Sequence, residues 1–217
     1  MEFSVSHPAL LTVTDGAERP FFGGAQGWYS TDWSRRAGCG PTCASNILAY
    51  LALTRPALSS LYGHPNRNRS DFSRHMEEVY PFLTPGSMGL NRVELFSEGV
   101  VEFARDRGAL LEPHVFKVSG RTTRSRPGVS ALADFVKAGL AADCPVGFLN
   151  LSRGREKNLQ SWHWVTVAAA DIDENRLLVT VSDEGRQLRL DLRLWYLTTP
   201  MRGGLAYFTE PSPPAPH

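Results

Sequence analysis

The stretch GCGPTCASNILAYLAL occupies residues 38–53 and changes character after its first four residues. Gly38 to Pro41 has the composition of a loop, whereas Thr42 to Leu53 places apolar residues at the spacing of one helical face. Pro41 suits the first turn of a helix, where its missing N–H leaves no hydrogen bond unmade. We therefore predict a helix over Thr42–Leu53 with Cys39 at its amino end.

A cysteine at this position has a chemical consequence. Unpaired backbone N–H groups and the positive end of the helix dipole both favour the thiolate, which is the reactive form. A nucleophilic cysteine also needs a base and a group that orients the base, and these partners usually lie far away in sequence. We predict His163, in the segment WHWV, as the base and Asp183, in the segment SDEG, as the orienting carboxylate.

The composition is that of an ordinary globular chain. Its 217 residues suit one domain, 42% of them are hydrophobic, and 23 Lys and Arg residues balance 22 Asp and Glu residues. This balance gives no field that would hold nucleic acid or an anionic membrane, so neither is expected as a partner. The sequence shows no signal-peptide pattern and no membrane-spanning run, which leads us to expect a cytoplasmic protein; it indicates no oligomeric state.

The other cysteines and histidines are predicted to be structural. Three cysteines are too few for a disulfide framework, and we assign Cys43 and Cys144 to the core. No zinc-ligand spacing and no phosphate-binding loop occurs, so we predict neither a metal nor a cofactor. We give no catalytic role to His64, His75 or His114.

The apolar patterns predict an α+β fold in which the nucleophile helix packs on a carboxy-terminal antiparallel sheet. Two further helices are predicted over Leu90–Gly108 and Val129–Ala142. The predicted strands cover Pro113–Val118, Val146–Leu151, Trp162–Ile172, Leu177–Val181 and Gln187–Tyr196. We expect residues 1–209 to form a single domain and the Pro-rich residues 210–217 to form a disordered tail.

The pairing of His163 with Asp183 depends on strand register. Asp171 lies on the same predicted strand as His163 and is too far along it to reach the imidazole. If the turn after Ile172 holds an odd number of residues, Asp183 shares the face of His163. An even-numbered turn would turn Asp183 to the opposite face unless a β-bulge restored the register.

These motifs resemble the papain-like superfamily, specifically the branch of peptidase domains that remove double-glycine leader peptides. In that branch a Cys-Gly-Pro motif bears the nucleophile, a His opens a strand and an Asp or Asn ends the next strand. The resemblance also implies an upstream Gln that helps to form the oxyanion hole, and Gln26 is the candidate. Gln26 stands about twice as far from Cys39 as such a Gln usually does, so Ser30 to Arg36 would have to loop out.

The resemblance implies a cysteine-dependent hydrolase that acts on a peptide or amide substrate and needs no cofactor. The same acyl-enzyme could instead be transferred to an amine, as in transglutaminases and acyltransferases, and the sequence does not separate the two acceptors. A papain-like domain could also serve as a binding module without chemistry.

Overall fold

The computed structural model describes residues 1–16, 20–120 and 126–211. Within these ranges the helices are α1 (Asp32–Ala37), α2 (Cys39–Thr54), α3 (Arg69–Val79), α4 (Val93–Asp106), α5 (Val129–Ala141) and α6 (Leu192–Thr198). The strands are β1 (Glu2–Ser4), β2 (Thr12–Val13), β3 (Phe21–Phe22), β4 (Glu112–Val118), β5 (Val146–Asn150), β6 (His163–Ile172), β7 (Leu177–Asp183), β8 (Arg186–Asp191) and β9 (Gly203–Thr209). None of the helices in these ranges is long and apolar enough to cross a membrane.

One antiparallel sheet carries most of the strands, in the order β4-β9-β5-β6-β7-β8, and β1 pairs with the end of β6. The two faces of this sheet are covered by different helices. A side chain at Gly147 would meet Cys43 of α2 and Phe96 of α4, whereas the neighbouring Val146 faces Gly139 of α5. Because successive strand residues point to opposite faces, α2 and α4 lie on one face and α5 on the other. The enclosed strand β5 is accordingly buried throughout.

Helix α2 is the centre of the molecule. Every residue from Gly40 to Leu51 is buried, so this helix is enclosed on all sides and not only along one stripe. It packs against β6 on one side and contacts α3 and α4 on others. The predicted helix is therefore confirmed, with three additional residues at its amino end that include Cys39.

The carboxy-terminal part differs from the prediction in two places. The predicted strand Gln187–Tyr196 is wrong after Asp191, where α6 begins, because the Asp191 side chain accepts a hydrogen bond from Leu194 N at 2.8 Å and caps the helix. The predicted sheet also lacks β9, which inserts between β4 and β5 and interrupts the simple meander. Residues 212–217 of the predicted tail lie outside the described residues, and the domain boundary at residue 209 stays a prediction.

A buried histidine lies on α3. The rings of Tyr62, Phe72 and Phe103 surround His75, whose Nε2 donates to Ser45 O at 3.2 Å. Its Nδ1 is buried and has no hydrogen-bond partner in the described part of the chain. Burial lowers the pKa of His75 to about 3, because a charge on this ring would be desolvated.

We expect His75 to make the fold sensitive to acid. Its folded pKa lies below the unfolded value near 6.5, so the stabilisation is present above pH 6.5 and is lost as the pH falls towards 3. Urea unfolding at pH 7 and pH 4.5 should therefore show a larger loss of stability in the wild type than in His75→Gln. His7 is exposed, and His7→Gln should keep the wild-type loss. An equal loss in all three proteins would contradict the assignment.

Candidate active site

Cys39 is the first residue of α2, directly after the end of α1, and Gly38 alone separates the two helices. A β-carbon at Gly38 would collide with Ser34 O and with the Tyr29 ring, so only glycine fits this junction. Thr42 N and Thr42 Oγ1 both donate to Gly38 O, at 2.9 and 2.8 Å, and close the first turn of α2. The amino end of the central helix, and with it the Cys39 thiol, is thereby held in place.

The residues that were predicted to loop out between Gln26 and Cys39 instead form a helix. Thr31 Oγ1 accepts from Ser34 N at 3.1 Å and caps α1 over Asp32–Ala37. The expected loop over Ser30 to Arg36 is therefore wrong from Asp32 onwards, because the bond between Thr31 and Ser34 starts a helix there.

The other two thiols are buried core groups, as predicted. Cys43 Sγ donates to Val165 O at 3.3 Å, and burial raises the pKa of Cys43 to about 12. Burial likewise raises the pKa of Cys144 to about 12, and its sulfur accepts from Phe208 N at 3.3 Å. All three cysteines are free thiols, and Cys39 is the partly exposed one.

His163 opens β6 and Asp183 ends β7, and the structure brings the two side chains together. His163 Nε2 donates to Asp183 Oδ1 at 2.6 Å, and both groups are buried. Burial by itself lowers the pKa of His163, but the hydrogen bonds and charges of Asp183 and Cys39 outweigh it and raise that pKa to about 10. The imidazole is thus in contact with the carboxylate through Nε2 and interacts with the Cys39 side chain as well.

This pairing depends on a β-bulge. The turn between β6 and β7 holds four residues, Asp173–Arg176, so of the two alternatives the even-numbered turn is the one present. The register then shifts between Val167 and Ala169, after which Thr166 faces Ser182. One extra residue in β6 compensates for the even-numbered turn and returns Asp183 to the face of His163.

Glu184 and Gly185 form the two-residue turn that follows Asp183. Both residues have positive φ, at 50° and 72°, as a tight hairpin turn of this kind requires. The Glu184 carboxylate accepts from Gln26 N at 3.1 Å, and burial raises the pKa of Glu184. Within the described ranges, His163, Asp183 and Glu184 place ligand atoms within 4.8 Å of one another and could hold a cation, although two of these atoms already bond each other.

Gln26 is not joined to the other predicted site residues by its side chain. It begins a short 3₁₀ turn, and its contact with the site runs through its backbone N–H to Glu184. Its Oε1 atom is buried and has no hydrogen-bond partner among the residues described. The Tyr29 hydroxyl is also buried without such a partner, close enough to Thr42 and Cys39 for both to influence its pKa, which burial raises.

Asn46, one of the residues that the sequence analysis did not select, fastens α2 to the sheet. Its Oδ1 accepts from Gly24 N at 2.8 Å, and its Nδ2 donates to Thr166 Oγ1 at 3.1 Å and to Ser182 Oγ at 3.4 Å. The helix of the nucleophile is thereby tied to the two strands that carry His163 and Asp183. A side-chain amide within a mostly apolar helix was the signal that could have identified it.

A cavity of about 380 Å³ opens beside Cys39. Trp33 and Trp162 line it and are each about half exposed, and Trp162 has a φ of +58°, which is strained for a bulky residue. Asn150 Nδ2 donates to Gln160 O at 2.8 Å and to His163 O at 3.3 Å, which holds the segment between them. The strained Trp162 therefore stands at the rim of the cavity, directly before His163.

No protein-family profile matches the chain, and no curated protein shows significant sequence similarity to it. The solved structure of UfSP from C. elegans is similar, with a TM-score of 0.52 at 11% identity over 97% of this chain. The chain spans 34% of the UfSP chain. The Pseudomonas avirulence protein AvrPphB aligns over 83% of this chain and 96% of its own at 13% identity, with a TM-score of 0.34 that is too low to indicate a shared fold. The likeness to UfSP supports a shared fold of mixed helix and antiparallel sheet.

Proposed function

We propose that this chain is a cysteine hydrolase that cleaves a peptide or amide bond, with Cys39 as nucleophile, His163 as general base and Asp183 as the group that orients it. The observation that supports this most strongly is the position of the His163 ring, which bonds Asp183 at 2.6 Å and interacts with Cys39 at the start of α2. The cavity beside Cys39 offers a substrate access to the sulfur.

The reaction proceeds through an acyl-enzyme. His163 takes the thiol proton, and the Cys39 sulfur attacks the carbonyl carbon to form a tetrahedral oxyanion. The imidazolium then donates its proton to the leaving amine as the C–N bond breaks, which leaves a thioester on Cys39. Water, deprotonated by His163, attacks the thioester and releases the acid. Asp183 holds the imidazole in one orientation and stabilises its protonated form throughout.

Covalent labelling tests the nucleophile without knowledge of the substrate. A thiol-directed probe followed by peptide mass mapping should label Cys39 rapidly, and His163→Ala should slow this labelling. Cys43 and Cys144 should stay unlabelled in the folded protein because both thiols are buried and protonated. Equal, slow labelling of all three cysteines would favour a binding module over a hydrolase.

We propose that Gln26 donates to the oxyanion. Its backbone N–H donates to Glu184, the residue after Asp183, which keeps Gln26 beside the site, and its amide Nε2 would be the donor. Loss of one oxyanion donor typically costs on the order of 100-fold or more in rate, so Gln26→Ala should lower kcat by about that factor.

The alternative donor is Tyr29, whose buried hydroxyl lies near Cys39. Measuring kcat for Tyr29→Phe beside Gln26→Ala separates the two. Unchanged kcat in Gln26→Ala together with a fall of that size in Tyr29→Phe would assign the role to Tyr29.

Two finer points belong to the same proposal. The motif resemblance favours a substrate like those of the double-glycine leader peptidases, so peptides with Gly-Gly before the scissile bond should be assayed first. Transfer of the acyl group to an amine is the competing reaction, and adding a primary amine to the assay distinguishes the two. An amide product formed at the expense of the acid would identify an acyltransferase.

A further inference from the structure

The cavity beside Cys39 continues into a second, differently lined one. The first is mainly apolar; its large apolar lining residues are Trp33, Met88, Leu90, Leu149, Leu151 and Trp162. A second cavity of about 200 Å³ shares Asn91 and Leu149 with the first. The two cavities therefore adjoin each other, and we call them together the cleft, which extends from Cys39 past Asn91 towards β4 and β9.

The apolar part of the cleft is bounded by a tethered loop. Trp33 Nε1 donates to Pro85 O at 3.4 Å, and Trp164 Nε1 donates to Leu90 O at 2.6 Å, so the segment between them is fastened at both ends. Gly89 N donates to Gly86 O at 2.9 Å and closes a turn that presents the exposed Met88. This preformed wall and the half-exposed Trp162 line the same cavity, which suits a large apolar side chain.

The second part of the cleft is basic. Among the described residues that line the whole cleft, the basic ones are Arg36, Arg92, Lys117 and Arg202, and the acidic one is Glu94. Glu94 already pairs with Lys117 at 2.9 Å and lies 3.8 Å from Arg92. No carboxylate in the described parts of the chain forms an ion pair with Arg36 or Arg202, and both are exposed. The cleft thus carries surplus positive charge on a chain whose formal net charge is only +1.

We propose that this cleft binds an extended peptide that combines a large apolar side chain near the scissile bond with acidic residues a few positions further along. That a bond of this peptide is cleaved rests on the proposed function. The apolar and acidic character of the peptide rests on the residues that line the cleft. The apolar side chain fills the space between Trp33, Met88 and Trp162, and the acidic side chains reach Arg92 and Arg202. Complementary charge of this kind mainly sets selectivity and the rate of association.

Binding can be measured apart from catalysis with the Cys39→Ala variant. The probes are fluorescein-labelled peptides that each contain one Leu and three identical residues, which are Glu, Gln or Lys. The three residues lie on the amino side of the Leu in one series and on its carboxyl side in the other. Binding is measured by fluorescence anisotropy as the protein is added. In one of the two series we expect the Glu peptide to bind at least about 10-fold more tightly than the Gln peptide at low salt. The difference should shrink at 0.5 M salt, because exposed charges are screened, and Leu→Ser in the peptide should weaken binding.

Reversing the charge of two arginines in the cleft provides a second test of the inference. In the Cys39→Ala background, Arg92→Glu combined with Arg202→Glu should abolish the preference for Glu and favour the Lys peptide. Arg189→Glu is the matched control, because Arg189 is an exposed residue on β8, at the edge of the sheet opposite β4. Equal binding of Glu and Gln peptides on both sides, or a Glu preference that survives the reversal, would overturn the inference.

Cleavage of the same peptides by the wild type separates this inference from the proposed function. Cleavage that depends on Cys39 but ignores peptide charge would leave the hydrolase standing and overturn the acidic preference. Selective binding of the acidic peptide, without cleavage of any peptide in the set, would support the inference about the cleft and count against the hydrolase.

Discussion

Cys39→Ala should lower kcat by at least about 1,000-fold, because loss of the nucleophile in a triad enzyme removes nearly all of the chemical rate enhancement. Cys43→Ala, one helical turn further along α2, should keep kcat within a few-fold of the wild type. Cys43 is buried within the second turn of α2 and donates to Val165 O, whereas Cys39 is the first residue of α2 and lines the cavity. Steady-state kinetics on whichever peptide is cleaved compares the two variants.

Comparing the stabilities of Cys39→Ala and Cys43→Ala also controls for loss of folding. Cys43→Ala removes a buried sulfur and should cost about 1 kcal/mol of unfolding free energy, whereas Cys39→Ala, at a partly exposed position, should cost less. The more stable variant, Cys39→Ala, is thus expected to be the inactive one. Unfolding cannot explain this result, because it would inactivate the less stable variant first. Loss of activity in Cys43→Ala with full activity in Cys39→Ala would mean that the nucleophile is the other thiol.

Asp183→Ala should lower kcat by up to about 10⁴-fold, because the imidazole loses the carboxylate that fixes its orientation and stabilises its protonated form. Cys39 labelling should slow without disappearing, since the thiol and the helix start remain. Asp171→Ala is the matched control: Asp171 lies on β6, the same strand as His163, but pairs with Arg176 at its far end. Full activity in a folded Asp183→Ala protein would end the assignment.

A second substitution at this position, Asp183→Asn, should change how stability depends on pH. The folded pKa of His163, about 10, lies above its unfolded value, so its stabilisation is complete below pH 6.5 and is lost as the pH rises towards 10. Asp183 is a major cause of that raised pKa. Urea unfolding at pH 7 and pH 9.5 should therefore show a smaller loss of stability in Asp183→Asn than in the wild type, and an equal or larger loss would contradict the pKa assignment.

Local patterns were sufficient for the elements that carry the candidate site. The helix after Cys39 and most of the two strands near His163 and Asp183 were predictable, because helical and alternating apolar spacing reflect burial within a single segment. The predicted strand Leu177–Val181 stops two residues before Asp183, where β7 ends. The helix α6 was missed although its signal was local, since the cap at Asp191 competes with the β-propensity of the residues that follow.

Contacts between segments that are distant in the chain could not be predicted from local sequence patterns. The sequence contains the four-residue turn after Ile172, but it does not show the bulge between Val167 and Ala169 that returns Asp183 to His163. Strand β9 and the basic part of the cleft also arise only when β9 inserts between β4 and β5.

The sequence by itself determined which residue types are present and which helix and strands lie at or next to Cys39, His163 and Asp183, because those features depend on neighbours along the chain. The tertiary structure decided that His163 Nε2 meets Asp183 at 2.6 Å, that the Gln26 backbone N–H meets Glu184, and that Asn46 ties the helix to the strands. Register, bulges and buried polar contacts depend on groups far apart in the chain, so they are defined only when the sheet and α2 pack together.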